Sequence, residues 1–167
     1  MTQGTISVLV GCHSPVHSLL VLLAWRKLYK RWPRWWQVIC IFLHDIGHIG
    51  KQYLDNWDEK KEHWKLGAKI AGCFFGDKGY DFTAGHCSSS PVLSDLRRAD
   101  KYSWLIAPYW WLWSNTVFEP KLMRRNKTRK AAVETWIRDV QAWWDKQDIE
   151  HSLHEYYING CGDGGQP

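Results

Sequence analysis

The chain has 167 residues, 45% hydrophobic and 23% charged, a balance that suits one globular domain able to bury about two-thirds of its unfolded surface. Its net charge of +5 favours anionic ligands through long-range attraction. The longest apolar stretch near the N-terminus, residues 19–25, is too short to cross a bilayer and carries neither a basic leader nor a small-residue cleavage site. The expectation is therefore a cytoplasmic protein with no membrane association. Five cysteines, at 12, 40, 73, 87 and 161, are odd in number and show no Cys-x-x-Cys spacing. That pattern points to a reducing compartment, with Cys40 and Cys73 in apolar runs as buried thiols.

The pattern along the chain is helical almost throughout, and residues 5–10 carry its one weak strand signal. Ser14 followed by Pro15 reads as an N-cap with proline at the first helical position. His17, Leu20, Val21, Ala24 and Leu28 then form an apolar stripe at three- and four-residue spacing. Pro33 ends that helix and opens the next, which delivers His44 and Asp45 at its C-terminal end before Gly47 and Gly50 turn the chain. Asn56 with Glu59 resembles a capping box for a third helix through His63, Leu66, Ile70 and Phe74.

A short segment over 80–87 carries His86. Ser90 and Pro91 repeat the Ser-Pro opening, and a long helix follows through Leu93, Leu96, Asp100 and Trp104. Pro108 breaks it before the tryptophan cluster. Residues 128–144 form a last amphipathic helix, with Ala131, Val133, Ile137, Val140 and Trp144 on the buried face. The expected architecture is an all-α bundle of six to seven helices over residues 1–159, followed by a flexible Gly-rich tail, 160–167.

Thirteen tryptophans are far more than a core of this size needs. Trp110, Trp111 and Trp113 cannot all point inward from one helix, so an exposed aromatic patch suits a homo-oligomer interface or a stacking surface for a base. Basic residues cluster over 26–34 and 121–130. No nucleic-acid-reading motif accompanies them, so solvated faces are expected rather than nucleic-acid contact.

The densest chemistry lies at residues 43–49, Leu-His-Asp-Ile-Gly-His-Ile. Adjacent His44 and Asp45 offer a neutral nitrogen and an anionic oxygen from one stretch of backbone, a pairing for a divalent metal of the Zn, Fe, Mn or Co kind. His17 stands upstream, and His63, His86 and Asp100 downstream. These candidates come from separate segments, and a helical bundle is the natural way to bring them to one pocket. His13, four residues before His17 but ahead of Pro15, ranks below it as a ligand. His151 and His154 are read as solvated.

The order His17, His44-Asp45, Asp100 resembles the HD-domain superfamily of metal-dependent phosphohydrolases. The matching text is 17–21 (His-Ser-Leu-Leu-Val), 43–47 (Leu-His-Asp-Ile-Gly) and 99–101 (Ala-Asp-Lys), so the resemblance covers roughly residues 13–105. It implies an all-helical fold whose first metal is held by His17, His44, Asp45 and Asp100. His63, in a His-x-x-x-Gly-Ala segment with Gly67 and Ala68, and His86 match the extra histidines of the dinuclear branches. Those branches imply a second metal bridged to the first by Asp45, with the two ions drawn from Mn, Fe, Co, Ni or Zn.

The implied activity is hydrolysis of a phosphoester or phosphoanhydride in a small nucleotide-like substrate by a metal-activated hydroxide, with catalytic roles for Asp45, His48 and Lys101. Substrate contacts are expected from His48, Lys51, Arg97 and Lys101, the arginine offering bidentate geometry to phosphate. Many relatives have lysine where His48 stands, and a histidine there can donate a proton to a leaving oxygen near neutral pH. The motif His-Asp-x-Gly-His with His-x-x-x-Gly-Ala is also similar to the diiron oxygenase branch of the superfamily, which acts on organophosphonates or polyols. A non-catalytic, metal-stabilised binding module is the third alternative. The surplus of ligands weighs against it, because a closed structural zinc site needs only four.

Overall fold

The computed structural model describes residues 1–52, 61–118, 123 and 126–160, with side chains described through residue 146. Among these residues there are eight α-helices and one 3₁₀ turn, with no strand. The helices are α1 (Gln3–Val10), α2 (Pro15–Tyr29), α3 (Trp35–Leu43), α4 (Trp64–Phe75), α5 (Asp77–Ala84), α6 (Asp95–Leu105), α7 (Tyr109–Phe118) and α8 (Arg129–Gly160). The 3₁₀ turn, Ile46–His48, follows α3. The segment read as a weak strand is thus α1, started by Thr2, whose hydroxyl accepts from the Thr5 amide.

Local signals set most boundaries. Ser14 is extended and precedes Pro15 at the first turn of α2, and Lys30 ends that helix in the left-handed conformation at φ 55°. The Gln37 side chain accepts from the Arg34 amide at 2.8 Å and fixes the start of α3. Gly76, at φ +65°, lets α4 stop and α5 begin at once. Pro108 separates α6 from α7, as expected.

Two expectations fail in register. Ser90 and Pro91 do not open α6; Ser94 is its N-cap, and Leu93 is exposed outside the helix. The buried face of α4 is Trp64, Gly67, Ala68 and Ala71, while Leu66 and Phe74 are exposed. Small residues win this face because α4 lies close to neighbouring backbone: a Cβ on Gly67 would sit 2.3 Å from the Leu43 carbonyl oxygen. The capping box at Asn56 and Glu59 and the tail after residue 160 lie outside the described residues.

Two packed clusters hold the helices. Val21, Trp25, Cys40, Ile41, Ala71, Phe82, Leu96 and Ala99 join α2 through α6. Trp25 is fully buried here, and truncating such a side chain costs about 3–5 kcal/mol. Cys12, Leu20, Trp104, Trp111, Leu112 and Val133 form the second cluster, which draws in α7 and α8. The last helix buries Ala132 and Val133 but exposes Ile137, against expectation. Cys40 is buried as expected, whereas Cys73 is exposed; Cys12, Cys40, Cys73 and Cys87 are all free thiols. Trp111 is buried while Trp110 and Trp113 are exposed, so the cluster does face both ways. No single helix among the described residues is long and apolar enough to cross a membrane.

Candidate metal centre

The two clusters share α2 and α6, and the residues that matter stand where those helices meet the end of α3. His17 comes from the first turn of α2, His44 caps α3, Asp45 follows it, and Asp100 lies in the middle of α6. His63 caps α4 at its N-terminus and His86 follows α5 by two residues. All six side chains are buried. The sequence separates them by up to 83 positions, and the fold brings all six together.

Asp45 is the centre of the arrangement. Its Oδ2 faces His44 Nε2 at 3.0 Å and His17 Nε2 at 3.6 Å. Its Oδ1 faces His86 Nε2 at 3.6 Å and His63 Nε2 at 3.7 Å. Asp100 Oδ1 closes the first set, 2.9 Å from His17 Nε2 and 3.8 Å from His44 Nε2. His63 and His86 close the second, with their Nε2 atoms 3.0 Å apart. Three groups among the described residues are spaced to hold an ion: His17, His44 and Asp100; Asp45, His63 and His86; and His13, Asp45 and His48.

The chemistry of the donor set fits a metal. Nitrogen and oxygen lone pairs crowd together in a space that repels them unless a proton or a cation lies between. His44 Nε2 is buried without an aligned hydrogen bond. The far sides of the rings are held in the way that metal-ligating imidazoles require. His44 Nδ1 meets the Ile41 carbonyl at 2.5 Å and His86 Nδ1 the Thr83 carbonyl at 2.6 Å. A carbonyl only accepts, so each Nδ1 carries a proton, which leaves each Nε2 as the nitrogen that a metal would take in place of a proton. Ser103 Oγ lies 3.4 Å from His17 Nδ1, and Cys87 Sγ lies 4.0 Å from His63 Nδ1.

Electrostatics are strongly coupled. Burial works against ionisation throughout, but opposite charges at contact distance outweigh it. The Asp45 and Asp100 carboxylates push His44 up to about 10 in the ion-free protein. Asp45 is held well below the usual carboxylate range, chiefly by His44 and His13, and Asp100 likewise by Lys101 and His17. Lys101 is raised in turn by Asp100, whose Oδ2 is 2.9 Å from Nζ.

A cleft of about 430 Å³ opens above these groups. His48 and Lys101 line it, as the sequence reading requires. Arg97 and Lys51 do not. The Arg97 guanidinium instead lies 5.7 Å over the Trp143 ring, and Lys51 is tied back to α1, its carbonyl accepting from the Gly4 amide at 3.0 Å. Several lining residues were not foreseen. His13 stacks on His48 with 3.9 Å between ring centroids, because the chain turns at Gly11 before α2 and swings it inward. Lys61 also lines the cleft, as do Trp136, Asp139, Val140 and Trp143 of α8. The available signal was the spacing of Trp136, Val140 and Trp143 along α8, which reads equally as core.

His151 and His154 carry side chains outside the described ones. No protein-family model, curated protein or solved structure matches the chain, so the geometry of its own residues is the ground for a functional reading.

Proposed function

We propose that the chain is a metal-dependent phosphohydrolase acting on a phosphoester or phosphoanhydride of a nucleotide-like substrate. The observation that carries this reading is the division of Asp45, with one carboxylate oxygen turned to His17 and His44, which Asp100 also meets, and the other to His63 and His86. Two divalent ions of the Mn, Fe, Co, Ni or Zn class supply, when bound, Lewis-acid activation of water and neutralisation of phosphoryl charge.

The remaining roles belong to side chains of the cleft. Lys101, anchored through Asp100, presents a fixed positive charge to a phosphate oxygen. His48 lies within 3.9 Å of Asp45 Oδ1 and lines the cleft, where an imidazole can donate its proton to a leaving oxygen. The aromatic wall and the burial of the floor limit access of bulk water to the reacting group.

A screen of phosphate release over nucleotides, cyclic dinucleotides and simple phosphodiesters tests the reading, using protein purified anaerobically and loaded with each metal. Release that a chelator stops supports it; no release from any substrate with any metal contradicts it. His48→Ala should slow poor leaving groups by about 10²–10⁴ and a nitrophenolate ester far less.

A second reading, a mixed-valent diiron oxygenase, is favoured by His48 itself. The ring stacks on His63 at 4.3 Å, so a further histidine stands beside the second ligand set where a phosphate-binding lysine is the usual residue in phosphodiesterases of the resembling family. Strict dependence of activity on air and on iron would select it over hydrolysis.

A further inference from the structure

The cleft has two chemically different ends. Its floor and inner side are polar, with Asp45 and the histidines below and Lys61 and Lys101 beside them. Its outer wall is one face of α8, where Trp136, Asp139 and Trp143 follow at three- and four-residue spacing and share a stripe. The wall is continuous with the ligand cluster: Trp104 stacks on His17 at 4.6 Å and 23°, and Trp136 packs on Trp104 at 4.7 Å. Trp136 and Trp143 are half-buried and both line the cavity, the Arg97 guanidinium lying 5.7 Å over one face of Trp143. Asp139 is exposed at the rim, its side chain 63% accessible and 4.0 Å from Arg138 Nε.

We infer that the outer half of this cleft is a subsite for a planar, amino-bearing aromatic ring, stacked on Trp136 and Trp143 and read at its amine by Asp139. The inference rests on the phosphohydrolase reading for the anionic end of the ligand and adds the identity of the other end. Indole faces select flat rings, whose π surfaces they meet at low conformational cost. A carboxylate at the edge of the wall suits a hydrogen-bond donor and opposes an acyl chain, which would leave it desolvated and unpaired. The volume, about 430 Å³, lies near the lower end of small-molecule pockets, which run from roughly 300 to 1,000 Å³. That is room for one nucleoside monophosphate and not for an extended polymer.

Calorimetric titration of the metal-loaded protein with adenosine monophosphate, inosine monophosphate and ribose 5-phosphate tests this. Adenosine monophosphate should bind more tightly than ribose 5-phosphate by about 5- to 150-fold, the range expected for one stacked base. Trp143→Ala should erase most of that difference while ribose 5-phosphate affinity and metal content hold, and Trp143→Phe should keep part of it. Asp139→Ala should narrow the gap between the adenine and hypoxanthine ligands. Equal affinity of the wild type for adenosine monophosphate and ribose 5-phosphate overturns the subsite, as does an equal loss for both ligands in Trp143→Ala. Failure of all three ligands to bind overturns the phosphohydrolase reading and the subsite with it.

Discussion

His17, His44 and Asp100 stand on packed helices or at the end of one, whereas His63 and His86 stand where the chain changes direction. The first group is tied to both cores. His17 lies under Trp104, and Asp100 shares α6 with Leu96 and Ala99, which are fully buried. The second group is held by close backbone approach instead: Gly47 packs so tightly on His63 that a Cβ there would lie 1.7 Å from the His63 carbonyl oxygen. The rings are also tethered unequally. Behind His17 sits a hydroxyl, itself donating to the Asp100 carbonyl at 2.6 Å, while a thiol sits behind His63. One half of the site is therefore fixed by the fold as a whole and the other by local contacts, which open at lower cost.

Asp45 belongs to both halves, so its loss should have the largest effect. Asp45→Ala should empty both positions and abolish activity. It should also destabilise the ion-free protein, because His44 loses one of the two buried carboxylates that hold its charge. Elemental analysis and denaturant unfolding with and without chelator measure the two effects. Wild-type metal content in that variant would contradict the bridging role.

Gly47→Ala should act next most strongly, and on one half only. The added methyl forces the 3₁₀ turn and His63 apart, at a cost of about 1–3 kcal/mol, the usual range for overpacking. At limiting metal the second ion should be lost while the first remains. Equal loss of both ions would show that the halves are not independent. Ser103→Ala is the mildest case and touches the other half, since it removes the hydroxyl behind His17. Affinity at the first position should fall by about tenfold, the lower end for a group that orients a ligand, with the second position unchanged. Metal titration by competition with a chromophoric chelator resolves the two.

All six candidate ligands were legible in the chain because residue type and order carry them, and their convergence needs only a helical bundle. The cleft was less legible. Arg97 sits one turn before Asp100 on α6, yet its guanidinium goes to Trp143, since sequence spacing gives the face of a helix and not what packs on it. The face that α4 buries was not legible for a similar reason. Periodicity of large apolar residues pointed to Leu66 and Phe74, but the close approach of α3 admits only Gly67 and Ala68. Trp136 and Trp143 were not singled out, because the expected buried face of the last helix ran through Ala131, Val133, Ile137, Val140 and Trp144, and a half-buried indole on a cleft wall leaves no pattern of its own in sequence.

The most direct test of the central claim is the metal content of wild type and of the double variant His63→Ala/His86→Ala, each loaded to saturation and measured by elemental analysis. Two ions per chain in the wild type and one in the variant are predicted, with the remaining ion held by His17, His44, Asp45 and Asp100. A wild type that never exceeds one ion, or a variant that keeps the wild-type content, would contradict a two-metal site shared through Asp45.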